Sequence, residues 1–119
     1  MNRLNFFFST VCAVCMSLCS FSQDQSSGAQ FFGQCMLDIE SDEAIRQLEI
    51  EMRQNPYLRV VRLDLNTRRV FILTKALNSL TEAEFASWFN AYSDAIYCVQ
   101  IGRHGVDAMK PFPFADCSK

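Results

Sequence analysis

The chain has one histidine and no glycine-rich loop, and each absence removes a class of chemistry. His104 stands between Arg103 and Gly105, with Asp107 as the nearest carboxylate in sequence. A general base needs a nucleophile to serve or a carboxylate to orient it, so His104 reads as an exposed loop histidine. The four glycines form no phosphate-cradling pattern, and neither a nucleophile elbow nor a metalloprotease helix is present. Positive charge is scarce as well. With 11 Lys and Arg against 13 Asp and Glu, general nucleic-acid binding is not expected. No apolar run reaches the roughly 20 residues a membrane-spanning helix needs. These absences point to a non-enzymatic domain with no cofactor and no catalytic residue.

The longest apolar run, Phe6–Cys19, suits another purpose. Arg3 supplies a short positive segment before it, and Ser20-Phe21-Ser22 places small residues at the two positions a signal peptidase reads. Residues 1–22 are therefore expected to be a signal peptide, with Gln23 first in the mature chain and the protein periplasmic or extracellular. A rival reading is a lipoprotein acylated on Cys15 or Cys19. That processing favours a small residue before the cysteine, and Val14 and Leu18 stand there instead. An uncleaved membrane anchor is opposed by the shortness of the run. Cys12-x-x-Cys15 resembles a redox or metal motif but lies inside this export segment, where no scaffold supports thiol chemistry.

The mature chain would have 97 residues, one domain's worth, with 10 Lys and Arg (the 11 less Arg3) against 13 Asp and Glu. Residues 23–30 are small and polar and read as a flexible lead-in. Phe31–Leu37 is a strand, with Gly33 a candidate bulge. Ser41 caps a helix whose first turn carries Asp42 and Glu43 and whose buried face is Ile45, Leu48 and Met52. Pro56 stops it near Asn55. Glu40, Asp42, Glu43, Glu49 and Glu51 around this helix read as a solvated face.

Leu58–Leu65 and Arg69–Thr74, interrupted at Asn66-Thr67, read as a β-hairpin. Val61, Leu63 and Leu65 share one face. The second run is apolar on both faces, as in an inner strand. Thr81 and Glu84 form a capping box, with Leu80 and Phe85 as a hydrophobic staple. Phe85, Trp88, Phe89 and Tyr92 recur on one face of the helix that follows and read as core. Ala95–Arg103 is the last strand, with Tyr97, Val99 and Ile101 on one face and Cys98 and Gln100 on the other. Residues 105–119 form a proline-bearing tail. The order β-α-β-β-α-β predicts an α+β, ferredoxin-like two-layer sandwich over residues 31–104: an antiparallel sheet with both helices on one face.

Asn55-Pro56-Tyr57-Leu58 leading into VVRLDLNTRRVFI, then Leu80-Thr81-Glu82-Ala83-Glu84-Phe85, resembles heavy-metal-associated domains. The likeness spans about two thirds of the mature chain and implies the same fold. In that family a Cys-x-x-Cys between the first strand and first helix binds metal. Here the region reads GQCMLDIESDE, with Cys35 alone beside Met36. No metal ligand carries over. A non-standard metal site would have to draw on Cys35, Met36, His104 or Met109, and a thiol-redox role on an unpaired cysteine.

A two-layer sandwich leaves one sheet face without helices. The inner strand must place either Phe71 and Leu73 or Val70 and Ile72 there. Phe112 and Phe114 in the tail are at hand to cover it. Cys98, opposite the helix-facing residues of its strand, should face the same side, and the tail that crosses it ends near Cys117. A Cys98–Cys117 disulfide is therefore expected, with Cys35 left as a buried thiol. Phe71, Leu73, Phe112 and Phe114 make the expected interaction face. Arg59, Arg62, Arg68, Arg69 and Lys75 cluster on the hairpin, where charge guards a sheet edge or steers an acidic partner. The expected function is binding of another protein or an envelope component.

Overall fold

The computed structural model describes residues 28–119. The expected signal peptide, the cysteines within it and residues 23–27 lie outside the described residues. The elements run β1 (Phe31–Leu37), α1 (Asp42–Arg53), β2 (Leu58–Leu63), β3 (Arg69–Thr74), α2 (Glu82–Ser87), a 3-10 segment (Asn90–Ala95) and β4 (Ile96–Arg103). The sheet is antiparallel with order β2-β3-β1-β4. That order, with both helices on one face, is the ferredoxin-like sandwich.

Local chemistry sets the helix ends. The Ser41 side chain accepts a hydrogen bond from the Ala44 N–H, and Asp42 and Glu43 sit at the positive end of α1. Ile45, Leu48 and Met52 are buried against the sheet. The Thr81 and Glu84 capping box is complete in both directions. The helix it opens is shorter than the aromatic stripe predicts. Trp88 is already its C-cap, and the chain tightens into the 3-10 segment from Asn90, whose φ is +56°. Phe85 and Phe89 still reach the core, 5.1 Å apart edge to face, while Trp88 and Tyr92 are only partly covered.

In the hairpin, β2 ends at Leu63 rather than Leu65, because Asp64 takes over the turn. Its carboxylate accepts from the Asn66 N–H at 2.8 Å and from the Thr67 N–H at 3.4 Å. These bonds and Arg69 nearby hold the Asp64 carboxyl below its usual pKa. Arg68 adopts a left-handed φ of +65° to return the chain. Its guanidinium bonds the carbonyls of Leu65 and Glu40 and the Asp42 carboxylate.

The helix-facing side of the sheet carries Cys35, Leu37, Val61, Leu63, Val70 and Ile72, all in the core. Three expectations need correction. Gly33 is not a bulge: it pairs in register with both Ile72 and Ile101. It is glycine because the Phe85 ring rests on it, so that an added Cβ would sit 2.4 Å from Phe85 Cε1. The bulge lies across from Cys35, where β4 inserts an extra residue between the Gln34–Gln100 and Met36–Tyr97 pairs. Cys98 there has φ +55°. The insertion breaks the alternation expected for β4. Ile96, Val99 and Ile101 pack on the core, and Tyr97 does not share their face. The lead-in is also tied down where it is described: Ala29 exchanges both backbone hydrogen bonds with Leu77, and the Gln30 carbonyl accepts from the His104 N–H.

Candidate functional site on the open sheet face

β1 and β3 are the two inner strands, so their residues dominate the helix-free face. On β3 the alternation is resolved: Val70 and Ile72 point to the helices, leaving Phe71 and Leu73 on the open side, each half-buried. On β1 the open side carries Phe32, Gln34 and Met36. The Phe32 ring lies against Gly102 of β4, where a Cβ would come within 2.7 Å of Phe32 Cζ.

The tail covers the β1–β4 half of this face through a polar ladder. Gln34 is fully buried. Its amide NH2 donates to Gln100 Oε1 at 2.6 Å and to the Lys110 carbonyl at 3.1 Å, and its carbonyl accepts from Arg69 Nη2 at 2.9 Å. Gln100 then binds the tail twice: its NH2 donates to the Ala108 carbonyl, and its carbonyl accepts from the Lys110 N–H. A buried amide satisfied on both ends fixes the strand registry and the path of the tail together. The Arg69 guanidinium also lies 5.3 Å from the centre of the Phe112 ring, a cation–π contact. Its Nε is buried without a partner among the described residues. Phe112 meets Phe114 edge to face at 5.5 Å.

Two covalent and ionic ties complete the cover. Cys98 and Cys117 form a disulfide with Cα atoms 5.5 Å apart. Beyond it, Lys119 Nζ lies 2.9 Å from the Asp38 carboxylate, which raises the Lys119 pKa. Beneath the tail is a hollow of about 290 Å³ bordered by Met36, Tyr97, Phe112 and Phe114.

The β2–β3 half of the open face has no such cover among the described residues. Phe71 borders a groove of about 380 Å³ with Arg62, Arg69 and Glu49. Arg62 stands directly opposite Phe71 in the β2–β3 register, and Val60 opposite Leu73.

The expected interaction residues thus divide. Phe112 and Phe114, anchored by the expected Cys98–Cys117 disulfide, lie over one half of the face; Phe71 and Leu73 remain on the other. Of the residues named for a non-standard metal site, Cys35, Met36 and His104 stand apart. Cys35 faces the core, fully buried, where burial pushes its pKa to about 12. Met36 borders the hollow on the opposite side of the sheet, and exposed His104 sits past the end of β4. Among the described residues no group of three His, Cys, Asp or Glu side chains converges. Sequence reasoning missed the Arg69–Gln34–Gln100 ladder. The available signal was Gln34 itself, a long polar residue inside an otherwise apolar strand.

No family model matches the chain, and no curated protein matches it. Its fold is similar to a solved structure described as the apo form of the HMA domain of copper chaperone for superoxide dismutase. The two share 11% identity and a TM-score of 0.48 over 83% of this chain and 92% of that one.

Proposed function

We propose that the protein is an exported, non-enzymatic binding module whose recognition surface is the uncovered β2–β3 half of the sheet, facing another protein or an envelope component. The observation that carries this reading is the division of the open face. A disulfide-anchored tail covers one half, while Phe71 and Leu73 stay partly exposed beside Arg62 on the other. Apolar residues with a charged border are the usual make-up of a contact patch. The disulfide fits an oxidising compartment, which supports export.

The test is site-specific photo-crosslinking in the native host. A photoreactive amino acid at position 71 should give a discrete adduct, and one at exposed Ile50 on α1 should not. Phe71→Asp in a chain crosslinked from position 60 should abolish the adduct. Absence of any adduct from positions 60, 71 and 73 would refute the assignment.

A further inference from the structure

On the helical layer, away from the sheet's open face, two clefts adjoin and share Tyr57, Ser87 and Trp88. Their volumes are about 360 and 390 Å³. Tyr57 is 55% exposed. An aromatic ring left in water is notable when its backbone is fixed. Here the Tyr57 N–H donates to the Asn55 side chain at 2.8 Å, and the Tyr57 carbonyl accepts from the Lys75 N–H at 2.9 Å. Pro56, directly before it, has its own φ fixed by the ring. Trp88 is held as the cap of α2 by its N–H bond to the Phe85 carbonyl and packs only partly against the core. Both rings are therefore presented on rigid backbone, and little ordering entropy is lost when a ligand meets them.

The polar groups around the rings narrow the ligand. Amides from Gln54, Asn55, Asn78 and Asn90 and hydroxyls from Ser79 and Ser87 line the two clefts. Asn55 already accepts from the Tyr57 N–H, Asn90 donates to Glu51 and Ser87 donates to the Glu84 carbonyl, which leaves the Asn55 NH2, the Asn90 carbonyl and the Ser87 lone pairs for a ligand. Among the described residues, no Lys or Arg lines either one. The carboxylates present, Glu51 and Glu84, are already engaged. Glu51 accepts from Asn90 and Gln47, and Glu84 closes the capping box. A polyanion would meet two carboxylates and no cation, so it is disfavoured. Amides and hydroxyls both donate and accept. Their match is a ligand rich in hydroxyls, which also do both. A proline-rich peptide offers mainly acceptors to such a rim.

We infer that the Tyr57–Trp88 double cleft binds a neutral saccharide chain, with sugar rings resting on the two aromatic faces and their hydroxyls meeting the amide rim. The inference goes beyond the sheet-face reading and stands or falls independently of it.

Trp88 is the single tryptophan of the chain, so its fluorescence reports on the cleft directly. The purified protein is titrated with cellohexaose, chitohexaose, maltohexaose and xylohexaose, with a polyproline decamer and with heparin. Saturable quenching or blue shift by at least one neutral hexasaccharide is expected. Tyr57→Ala should weaken that binding by about tenfold, as loss of one stacking face does. Val106→Ala, on the exposed tail, should leave it unchanged. No saturable response to any of the four sugars, a response only to polyproline or heparin, or sugar binding untouched by Tyr57→Ala would each overturn the inference. Because Tyr57 is exposed, a matching circular dichroism spectrum for its variant keeps the last comparison interpretable.

Discussion

Cys117 is bonded to Cys98 at the one point of β4 where the strand departs from regular pairing. Cys98 holds a φ of +55°, a region that costs a non-glycine residue about 1 kcal/mol or more. The bulge turns Cys98 away from the core and toward the tail, so the same irregularity that interrupts the ladder creates the anchor. The loop closed by the bond spans a sequence separation of 19, for which chain-entropy reasoning gives on the order of 3 kcal/mol.

Cys117→Ser should therefore lower Tm by roughly 10–20 °C. It should also release the tail locally. In the oxidised protein the Phe114–Ala115 bond is held beside the disulfide; in the variant, chymotrypsin should cut there while the sheet remains folded. Limited proteolysis read by mass spectrometry checks this. Equal cleavage rates in the two proteins would show that the Gln34–Gln100 ladder holds the tail without the disulfide.

The contact between Phe85 and Gly33 gives a sharper test of the core. Both the ring and the strand it rests on are buried, so neither can yield without disturbing neighbours. Gly33→Ala should destabilise the fold by about 1–3 kcal/mol, as overpacking does, although alanine usually suits a strand better than glycine. Phe85→Leu in the same chain should recover part of the loss by thinning the side chain above the new methyl. Urea denaturation of the two single variants and the double variant measures the coupling.

Much of this architecture was legible in the residues. Ser41, Thr81 and Glu84 mark helix starts because capping is local chemistry, and the two-sided apolar pattern of β3 identified an inner strand. The disulfide was legible for a partly mistaken reason. Tyr97 does not face the helices with Val99 and Ile101, because the bulge at Cys98 shifts the alternation. A bulge is dictated by pairing with a distant strand, and nothing in AIYCVQIGR announces it. The shortening of α2 is similar: the aromatic stripe reads as helix, but Asn90 accepts a left-handed φ that ends it. The Arg69–Gln34–Gln100 ladder depends on contacts spanning 35 and 66 residues, beyond any local pattern.

The hairpin turn should respond to acid. Its hydrogen bonds from the Asn66 N–H and the Thr67 side chain lower the Asp64 pKa. A carboxyl whose folded pKa lies below its unfolded value contributes stability above the unfolded value, and that contribution is lost as pH falls through the folded one. The ordinary value is 3.8, so the loss begins near there. Asp64→Asn keeps an acceptor for the turn but does not titrate. The stability difference between wild type and Asp64→Asn should accordingly shift toward the variant as the pH drops below about 4. A pH-independent difference would remove Asp64 from the turn's energetics.

Cys35 decides between the binding-module reading and a metal role. A soft monovalent ion such as Cu(I) needs two sulfur donors converging on one point. Cys35 faces the core and Met36 the opposite side of the sheet, as neighbours on a strand must. With the Cys98–Cys117 disulfide intact, no second thiol is on offer among the described residues. Anaerobic titration of the disulfide-intact protein with Cu(I) against a competing chelator should show no tight one-to-one complex, and Cys35→Ser should behave like wild type. A tight complex that the substitution abolishes would promote the metal reading over the sheet-face one. The buried thiol has a second signature. Its pKa is raised by burial from 9.0 to about 12, so the protonated form is favoured by folding. The associated stability is fully present below about pH 9 and is lost as the pH rises toward the folded value. Compared with Cys35→Ala, which carries a fixed cavity cost but no titrating group, the wild-type advantage should shrink above pH 9 by at most about 1.4 kcal/mol per pH unit. A constant advantage from about pH 8 to about pH 10.5 would mean that the thiol ionises as easily in the folded protein as in the unfolded chain.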